Sequence, residues 1–287
     1  MSEYREREKN EIEGGMLYLV ATPIGNLSDL SERAIKVLSE VDFIAAEDTR
    51  NSRRLLTALG ISKPMVSYHD HNRRERGEEI ALRLKSGESC ALITDAGTPG
   101  ISDPGEDMVA LCAEEEIPVT LIPGPCAAIN ALVLSGLPAG KFVFEGFLSA
   151  KPSERKAALR ELAAEGRSII FHEAPHKLRA TLDDMCEIMG ADRRIALCRE
   201  LTKLNEEIIH TTLGGAVSLY EEKEPRGEYV LVLEGAKVDD GVEFWTNMTE
   251  REHVDFYMSQ GMSKNEAIKA AAHDRGVHKS EIYKLVL

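Results

Sequence analysis

No stretch of the chain approaches the roughly 20 consecutive apolar residues that a membrane-crossing helix needs. Ser2 to Glu13 is too dense in charge for a signal peptide, so a cytoplasmic protein with no membrane partner is expected. Cysteine pairs are missing too. Cys90, Cys112, Cys126, Cys186 and Cys198 are odd in number and widely spaced, with no CxxC and no Cys/His cluster. That argues against a disulfide framework and against a zinc site, and no metal is expected. The phosphate-binding signatures GxGxxG and GxxxxGK followed by Ser or Thr are absent, which disfavours dinucleotide and P-loop chemistry. Positive charge is in deficit. A net charge of −14 argues against a protein that coats nucleic acid through bulk charge, so an RNA would have to meet local basic patches. Candidates are Arg50/Arg53/Arg54, Arg73/Arg74/Arg76 and Lys151/Arg155/Lys156/Arg160. Internal repeats and low-complexity tracts are also lacking.

What the chain does have is a series of short apolar runs that break into glycine- and proline-rich loops. Cys90–Ile93 runs into Thr94-Asp95-Ala96-Gly97-Thr98-Pro99-Gly100-Ile101-Ser102-Asp103-Pro104-Gly105, after which Glu106–Ala113 resumes a helical pattern. Leu17–Ala21 runs into Thr22–Leu27, and Val119–Ile122 into Pro123-Gly124-Pro125-Cys126-Ala127-Ala128. Runs of this length bounded by turn residues read as buried strands. A loop at the C-terminal end of a parallel strand is where open α/β sheets place ligands. Small residues let a ligand approach the backbone, and prolines hold the loop in one shape.

With 287 residues and 43% hydrophobic content, the chain suffices for about two domains. Residues 1–15, charged and nearly without apolar side chains, read as a mobile extension. Strands are expected at Met16–Ala21, Phe43–Ala46, Met65–Tyr68, Cys90–Ile93 and Val119–Ile122. Between them fall helices at Glu32–Val41, capped by Asp29 or Ser31, then Ser52–Leu59, Arg76–Leu84 and Glu106–Ala113. This alternation predicts a largely parallel sheet with helices on both faces, over residues 16–138. After helix Ala127–Leu134, Leu137-Pro138-Ala139-Gly140 reads as a linker to a second domain over 139–236. That domain has strands at Phe142–Phe147, Ser168–Phe171, Arg194–Cys198, Glu206–Thr212 and Glu228–Leu233, and helices at Glu154–Ala164 and Leu178–Met189. Asp239-Asp240-Gly241 looks like a spacer before a helical tail (237–287). There Thr249 with Glu252 and Ser263 with Glu266 fit capping boxes, in a helix-turn-helix-like outline.

The loops just described, with Glu47-Asp48-Thr49-Arg50, Phe171-His172-Glu173-Ala174-Pro175-His176-Lys177-Leu178 and Arg199-Glu200-Leu201-Thr202-Lys203, recur in the order of a known family's motifs. Over about Met16 to Gly235 the chain resembles the tetrapyrrole-methylase superfamily of S-adenosylmethionine-dependent methyltransferases. Its first loop differs from the Gly-x-Gly-Pro-Gly-Asp of the porphyrin branch, and Glu47–Arg50 points to the RNA branch. Where the family reads Tyr/Phe-Glu-Ser-Pro-His-Arg, this chain has His172 before the glutamate, Ala174 for serine and Lys177 for arginine. The resemblance implies an α/β, two-domain tetrapyrrole-methylase-like fold. Its N-terminal sheet is parallel and flanked by helices, the second α/β domain has a mixed sheet, and a helical tail follows. It implies S-adenosyl-L-methionine folded between the domains without a metal, at Pro23, Asp95, Gly97, Thr98, Pro99, Ile101, Ala127 and Ala128. It also implies a homodimer, and methylation of the ribose 2′-oxygen of a cytidine in the 16S rRNA of the small ribosomal subunit.

A ribose hydroxyl is a weak nucleophile at neutral pH, so its proton must leave as the methyl arrives. Glu47, Asp48, Glu173 and His69 are the candidate acceptors. Lys177 is a candidate for favouring the developing alkoxide, or for pairing with a phosphate or with Glu173. Arg50, Arg53, Arg73, Arg74 and Arg76 are the candidate RNA contacts. Two other readings stand beside this one. The first is methylation of a tetrapyrrole precursor or of a protein side chain; the second is a non-catalytic RNA-binding or ribosome-assembly module.

Overall fold

The structure, a computed structural model, describes residues 11–236, Trp245 and 248–286. It divides into two compact units, Met1–Gly235 and Ala236–Leu287. The expected extension lies outside the described residues up to position 10. After it, Ile12 packs on a sheet core and the Gly15 N–H donates to the Glu88 carbonyl at 2.9 Å.

Five strands make the first sheet: β1 (Leu17–Val20), β2 (Phe43–Ala46), β3 (Met65–Ser67), β4 (Cys90–Ile93) and β5 (Val119–Ile122). All pair in parallel, in the order β3-β2-β4-β1-β5. Alternate residues separate two cores, as the twofold period of a strand requires. Tyr18, Val20, Ile44, Ala46, Ala91 and Ile93 face helices α1 (Glu32–Glu40) and α2 (Thr49–Ala58). Leu17, Leu19, Phe43, Ala45, Cys90 and Leu92 face α3 (Arg73–Lys85) and α4 (Gly105–Glu114). Ser31 is the residue that caps α1, its hydroxyl accepting from Ala34 N. Helix α2 begins three residues before its expected start, because the Asp48 carboxylate accepts from Arg50 N at 2.8 Å and caps the first turn. The run Glu47–Arg50 is therefore a strand exit joined to a helix start.

Helix α5 (Ala127–Leu134) follows β5 but turns to the second sheet. That sheet holds β6 (Phe142–Phe147), β7 (Ser168–Glu173), β8 (Arg194–Arg199), β9 (Glu207–Thr212) and β10 (Tyr229–Leu233), in the order β6-β7-β10-β8-β9. Only β6–β7 is parallel, so the sheet is mixed. Ala128, Ala131 and Leu132 of α5 pack on Ile170, Ala196, Val230 and Val232. The opposite face carries α6 (Pro152–Leu162), α7 (Pro175–Met189) and α8 (Leu213–Glu222), with Leu159, Leu178, Leu182 and Leu213 in its core. The sequence reading has no counterpart of α8. Its first turn contains Gly214 and Gly215, poor helix formers that are required there: a Cβ on Gly215 would lie 2.3 Å from Thr211 Oγ1, and one on Gly214 3.2 Å from Ala191 Cβ. Of the suggested patch Lys151/Arg155/Lys156/Arg160, Arg155 is not at the surface. Arg155 is buried and binds Asp184 at 2.7 Å, and Lys156 and Lys151 pair with Glu187 and Glu154.

In the second unit, α9 (Glu250–Ser259), α10 (Lys264–Asp274) and α11 (Lys279–Val286) enclose Val254, Ala267, Ile268, Ala271 and Ile282. Both capping boxes form, Thr249 with Glu252 and Ser263 with Glu266. The spacer Asp239–Gly241 lies outside the described residues.

Candidate active site

Loops leaving β1, β4 and β5 are tied into one rim. Thr22 and Gly97 exchange backbone hydrogen bonds at 2.9 and 3.1 Å, the Thr22 hydroxyl donates to the Thr94 carbonyl, and Thr98 Oγ1 donates to Pro125 O at 3.0 Å. Asp103 accepts from Gly100 N and Gly105 N and rounds off the β4 loop. Gly97 has φ +88°, which the loop needs to turn back on Thr22.

Two contacts bring this rim against the second sheet. A Cβ on Gly25 would lie 2.3 Å from Lys203 Cγ and 3.2 Å from Leu201 O. At the other end β6 is bulged at Gly146, whose φ is +74° and whose missing Cβ would lie 3.3 Å from Ser102 Oγ. Between these joints is a cleft of about 470 Å³, within the usual range of small-molecule sites, about 300–1,000 Å³. Its first wall includes Ile24, Glu47, Thr94, Asp95, Ile101 and Ala127; its second includes Phe147, His172, Glu173, Glu200, Lys203 and Glu228. Six carboxylates line the cleft, those of Glu47, Asp95, Asp103, Glu173, Glu200 and Glu228, against the ammonium of Lys203.

These carboxylates are held differently. Glu47 Oε2 accepts from Thr94 Oγ1 at 2.9 Å and from Asp95 N at 3.5 Å, while Asp95 Oδ2 accepts from Asn51 Nδ2 at 3.3 Å. Glu173 is buried and saturated, accepting from Thr181 Oγ1 at 2.6 Å and Ala174 N at 2.8 Å, with Lys177 Nζ at 3.1 Å. Lys203 joins Glu200 at 2.9 Å to Glu228 at 2.7 Å. Burial opposes its charge, but the hydrogen bonds to Glu228 and Glu200 outweigh that and hold its ammonium above the ordinary lysine range. Burial pushes the His172 imidazole below its ordinary value, against a weaker opposite pull from Glu228. His172 is thus neutral at pH 7.

Of the residues expected at the cofactor, Asp95, Ile101 and Ala127 line the cleft. Gly97, Thr98 and Pro99 lie in the same loop as Asp95 and Ile101, Pro23 follows Thr22 in the first loop, and Ala128 is buried in α5 where that helix packs on the second sheet. Glu47 and Glu173 line the cleft, whereas Asp48 and Lys177 do not. Asp48 caps α2 and binds the Arg50 guanidinium, which keeps its carboxyl below the usual range. Lys177 is turned to Glu173 and to the Leu148 carbonyl. His69 and His71 follow β3 away from the cleft. Arg50 and Arg53 share a shallow depression on α2 with Arg54, and the helix reaches the cleft through Asn51. Arg73, Arg74 and Arg76 pair with Asp107, Glu78 and Glu79 on α4 and α3. Phe147, Glu228 and Lys203 are additions that sequence reasoning did not single out. His172, Glu200 and Lys203 fall within quoted motifs, and nothing in the sequence around Phe147 or Glu228 signals a site.

Comparison with known proteins agrees with this architecture. The family model of Tetrapyrrole (Corrin/Porphyrin) Methylases matches residues 16–217. A protein of Synechocystis sp. named Ribosomal RNA small subunit methyltransferase I is 45% identical over 273 residues, 95% of this chain and 98% of its own. A Bacillus subtilis protein of the same name is 47% identical over 272 residues, 94% of this chain and 93% of its own. Among solved structures, uroporphyrin-III-C-methyltransferase from Thermus thermophilus superposes with TM-score 0.55 at 18% identity, covering 79% of this chain and 97% of that one. The same enzyme complexed with S-adenyl homocysteine gives 0.54 at 17% identity, covering 76% and 97%; at this identity the likeness is one of fold. The chain belongs to the tetrapyrrole methylase family and, within it, to the group formed by its relatives called ribosomal RNA small subunit methyltransferase I.

Proposed function

We propose that the protein transfers a methyl group from S-adenosyl-L-methionine to the ribose 2′-oxygen of a cytidine in the 16S rRNA of the small ribosomal subunit. The observation that carries this reading is the similarity, over nearly the whole chain, to relatives named for that ribosomal RNA. The cleft fits the cofactor: a carboxylate-rich lining suits a sulfonium cation, and the volume suits a small molecule. Bound there, the cofactor supplies an electrophilic methyl on a cationic sulfur, and the chain aligns the acceptor and takes a proton.

In this reading the first-wall loops at Pro23, Asp95–Ile101 and Ala127–Ala128 hold the cofactor through fixed backbone groups, with Asp95 adding a carboxylate. Glu47, fixed by Thr94 and exposed to the cleft, takes the hydroxyl proton. Asp48 is a weaker acceptor because Arg50 stabilises its ionised form. Glu173 and Lys177 satisfy each other and brace the β7 exit, and Lys203 is the cation facing the reacting groups. An acidic cleft repels phosphate, so the RNA backbone stays outside, on Arg50, Arg53 and Arg54 of α2 and on Arg73, Arg74 and Arg76. The work is cytoplasmic. A second copy of the chain is the proposed partner for the apolar edge where Leu121 and Val133 are exposed.

The test is label transfer from S-adenosyl-L-methionine to small subunits, free rRNA and uroporphyrinogen in parallel, followed by nucleoside analysis. Label recovered as 2′-O-methylcytidine is expected. Label on a base, or on uroporphyrinogen alone, contradicts the reading, as does continued methylation of a target carrying 2′-deoxycytidine.

A further inference from the structure

The second wall carries a large apolar side chain that its own fold does not bury. Phe147 ends β6, lines the cleft and is 56% exposed. Beside it on β7 stands His172, whose ring meets Phe147 edge to face at 5.3 Å and Phe144 at 5.2 Å. Its Nε2 is buried and has no hydrogen-bond partner. The cleft carboxylates all have partners that fix them: Thr94, Asn51, Gly100, Thr181 and Lys203. A buried polar atom left without one costs about 1–3 kcal/mol. An exposed aromatic face beside an unpartnered imidazole nitrogen, in a cleft that rejects phosphate, suits a flat, neutral ligand with hydrogen-bonding edges. A nucleobase has these properties, and the unpaired bases of single-stranded RNA commonly stack on aromatic side chains and hydrogen-bond through their edges.

We infer that Phe147 and His172 form the seat of the target nucleobase, the base stacking on the Phe147 ring while the His172 imidazole hydrogen-bonds its edge. The inference rests on the rRNA reading above and adds to it the place where the substrate is held. The cofactor is assigned to the opposite wall, so the two ligands approach from different sides with the ribose between them. Here His172 provides an aromatic edge and a polar atom in one residue; it positions the base and takes no part in the methyl transfer itself.

Two measurements together decide the matter. In the first, methylation of small subunits and calorimetric affinity for S-adenosylhomocysteine are compared in the parent, Phe147→Ala, Phe147→Tyr and His172→Phe. Phe147→Ala is expected to lower kcat/KM by about 5- to 150-fold, mainly through KM, with cofactor affinity unchanged. Phe147→Tyr, which keeps the ring, is expected to stay within about threefold, and His172→Phe to lose about tenfold or more. In the second, cytidine is titrated into Phe147→Trp and its emission is compared with that of the parent, whose one tryptophan is Trp245. Saturable quenching, weakened by adding His172→Phe, is expected. Phe147→Ala kinetics equal to the parent would overturn the proposal, as would cofactor affinity falling in step with methylation, which would make the ring an adenine seat. Absence of quenching would overturn it too. If the parent methylates no RNA yet the quenching saturates, the rRNA reading fails and the base seat stands.

Discussion

The two walls of the cleft are built by different means. The first is made of loops that close on themselves: Thr22 with Gly97, Thr98 with Pro125, Asp103 with Gly100 and Gly105. Its shape is a property of the backbone, so glycine, proline and short polar residues mark it in the sequence. The second wall is made of side chains from β6, β7, the β8–β9 connection and the residue that leads into β10: Phe147, His172, Glu200, Lys203 and Glu228. Pairing in the mixed sheet brings them together from positions up to 81 residues apart (147 to 228), and no local pattern records that. A site made of backbone leaves a motif; a site made of side chains on separate strands leaves almost none.

The largest effect is expected where the second wall is anchored. Replacing Glu173 by leucine takes the counter-ion from Lys177, leaving it only the Leu148 carbonyl, and leaves the buried Thr181 hydroxyl without its acceptor. It should cost about 3–5 kcal/mol, read as a lower urea midpoint. A midpoint equal to the parent's would mean that Glu173 is not an anchor.

Next comes the backbone wall. Gly97→Val places a branched side chain at φ +88°, with its Cβ 3.4 Å from Ile24 Cγ2. Strain of about 1–3 kcal/mol should open the loop and weaken cofactor binding about tenfold, by calorimetry. An unchanged affinity would show that the loop's shape is not what binds.

The smallest expected effect is a pH dependence. The folded state holds His172 below its ordinary value of 6.5, chiefly through burial. Below about pH 6.5 the unfolded chain therefore takes up a proton that the folded chain refuses. The stabilisation tied to the neutral ring is complete above the unfolded value and declines as pH falls toward the folded one. Urea midpoints at pH 7.5 and 5.5 should converge less in the parent than in His172→Phe. Equal pH dependence in the two proteins would remove His172 from the account.

The same contrast explains what the sequence made legible. Five apolar runs between helix signals announced the parallel sheet, Thr249 and Ser263 announced helix starts by side-chain chemistry that is local, and Ser31 was one of two caps offered for α1. Helix α8 was hidden because its first turn uses Gly214 and Gly215 for close packing, against ordinary helix propensity. The seating of α5 on the second sheet was hidden for another reason. Ala127–Leu134 is apolar nearly all round, and its sequence cannot say which sheet it joins. In the site, Asp95 was legible from its loop, Ile101 and Ala127 from the family resemblance, and the pairing of Lys177 with Glu173 from their separation by four residues, whereas the presence of Lys203 in the cleft depended on strand order. The position of Phe147 depends on the bulge at Gly146.

The central claim is that the cofactor belongs to the first wall and the nucleotide to the second. Its most direct test is calorimetric titration of S-adenosyl-L-methionine into two variants, Asp95→Ala and Lys203→Met, without RNA or added metal. The account predicts about tenfold weaker binding in Asp95→Ala and parent-like binding in Lys203→Met; the reverse order, or equal losses in both, would contradict it.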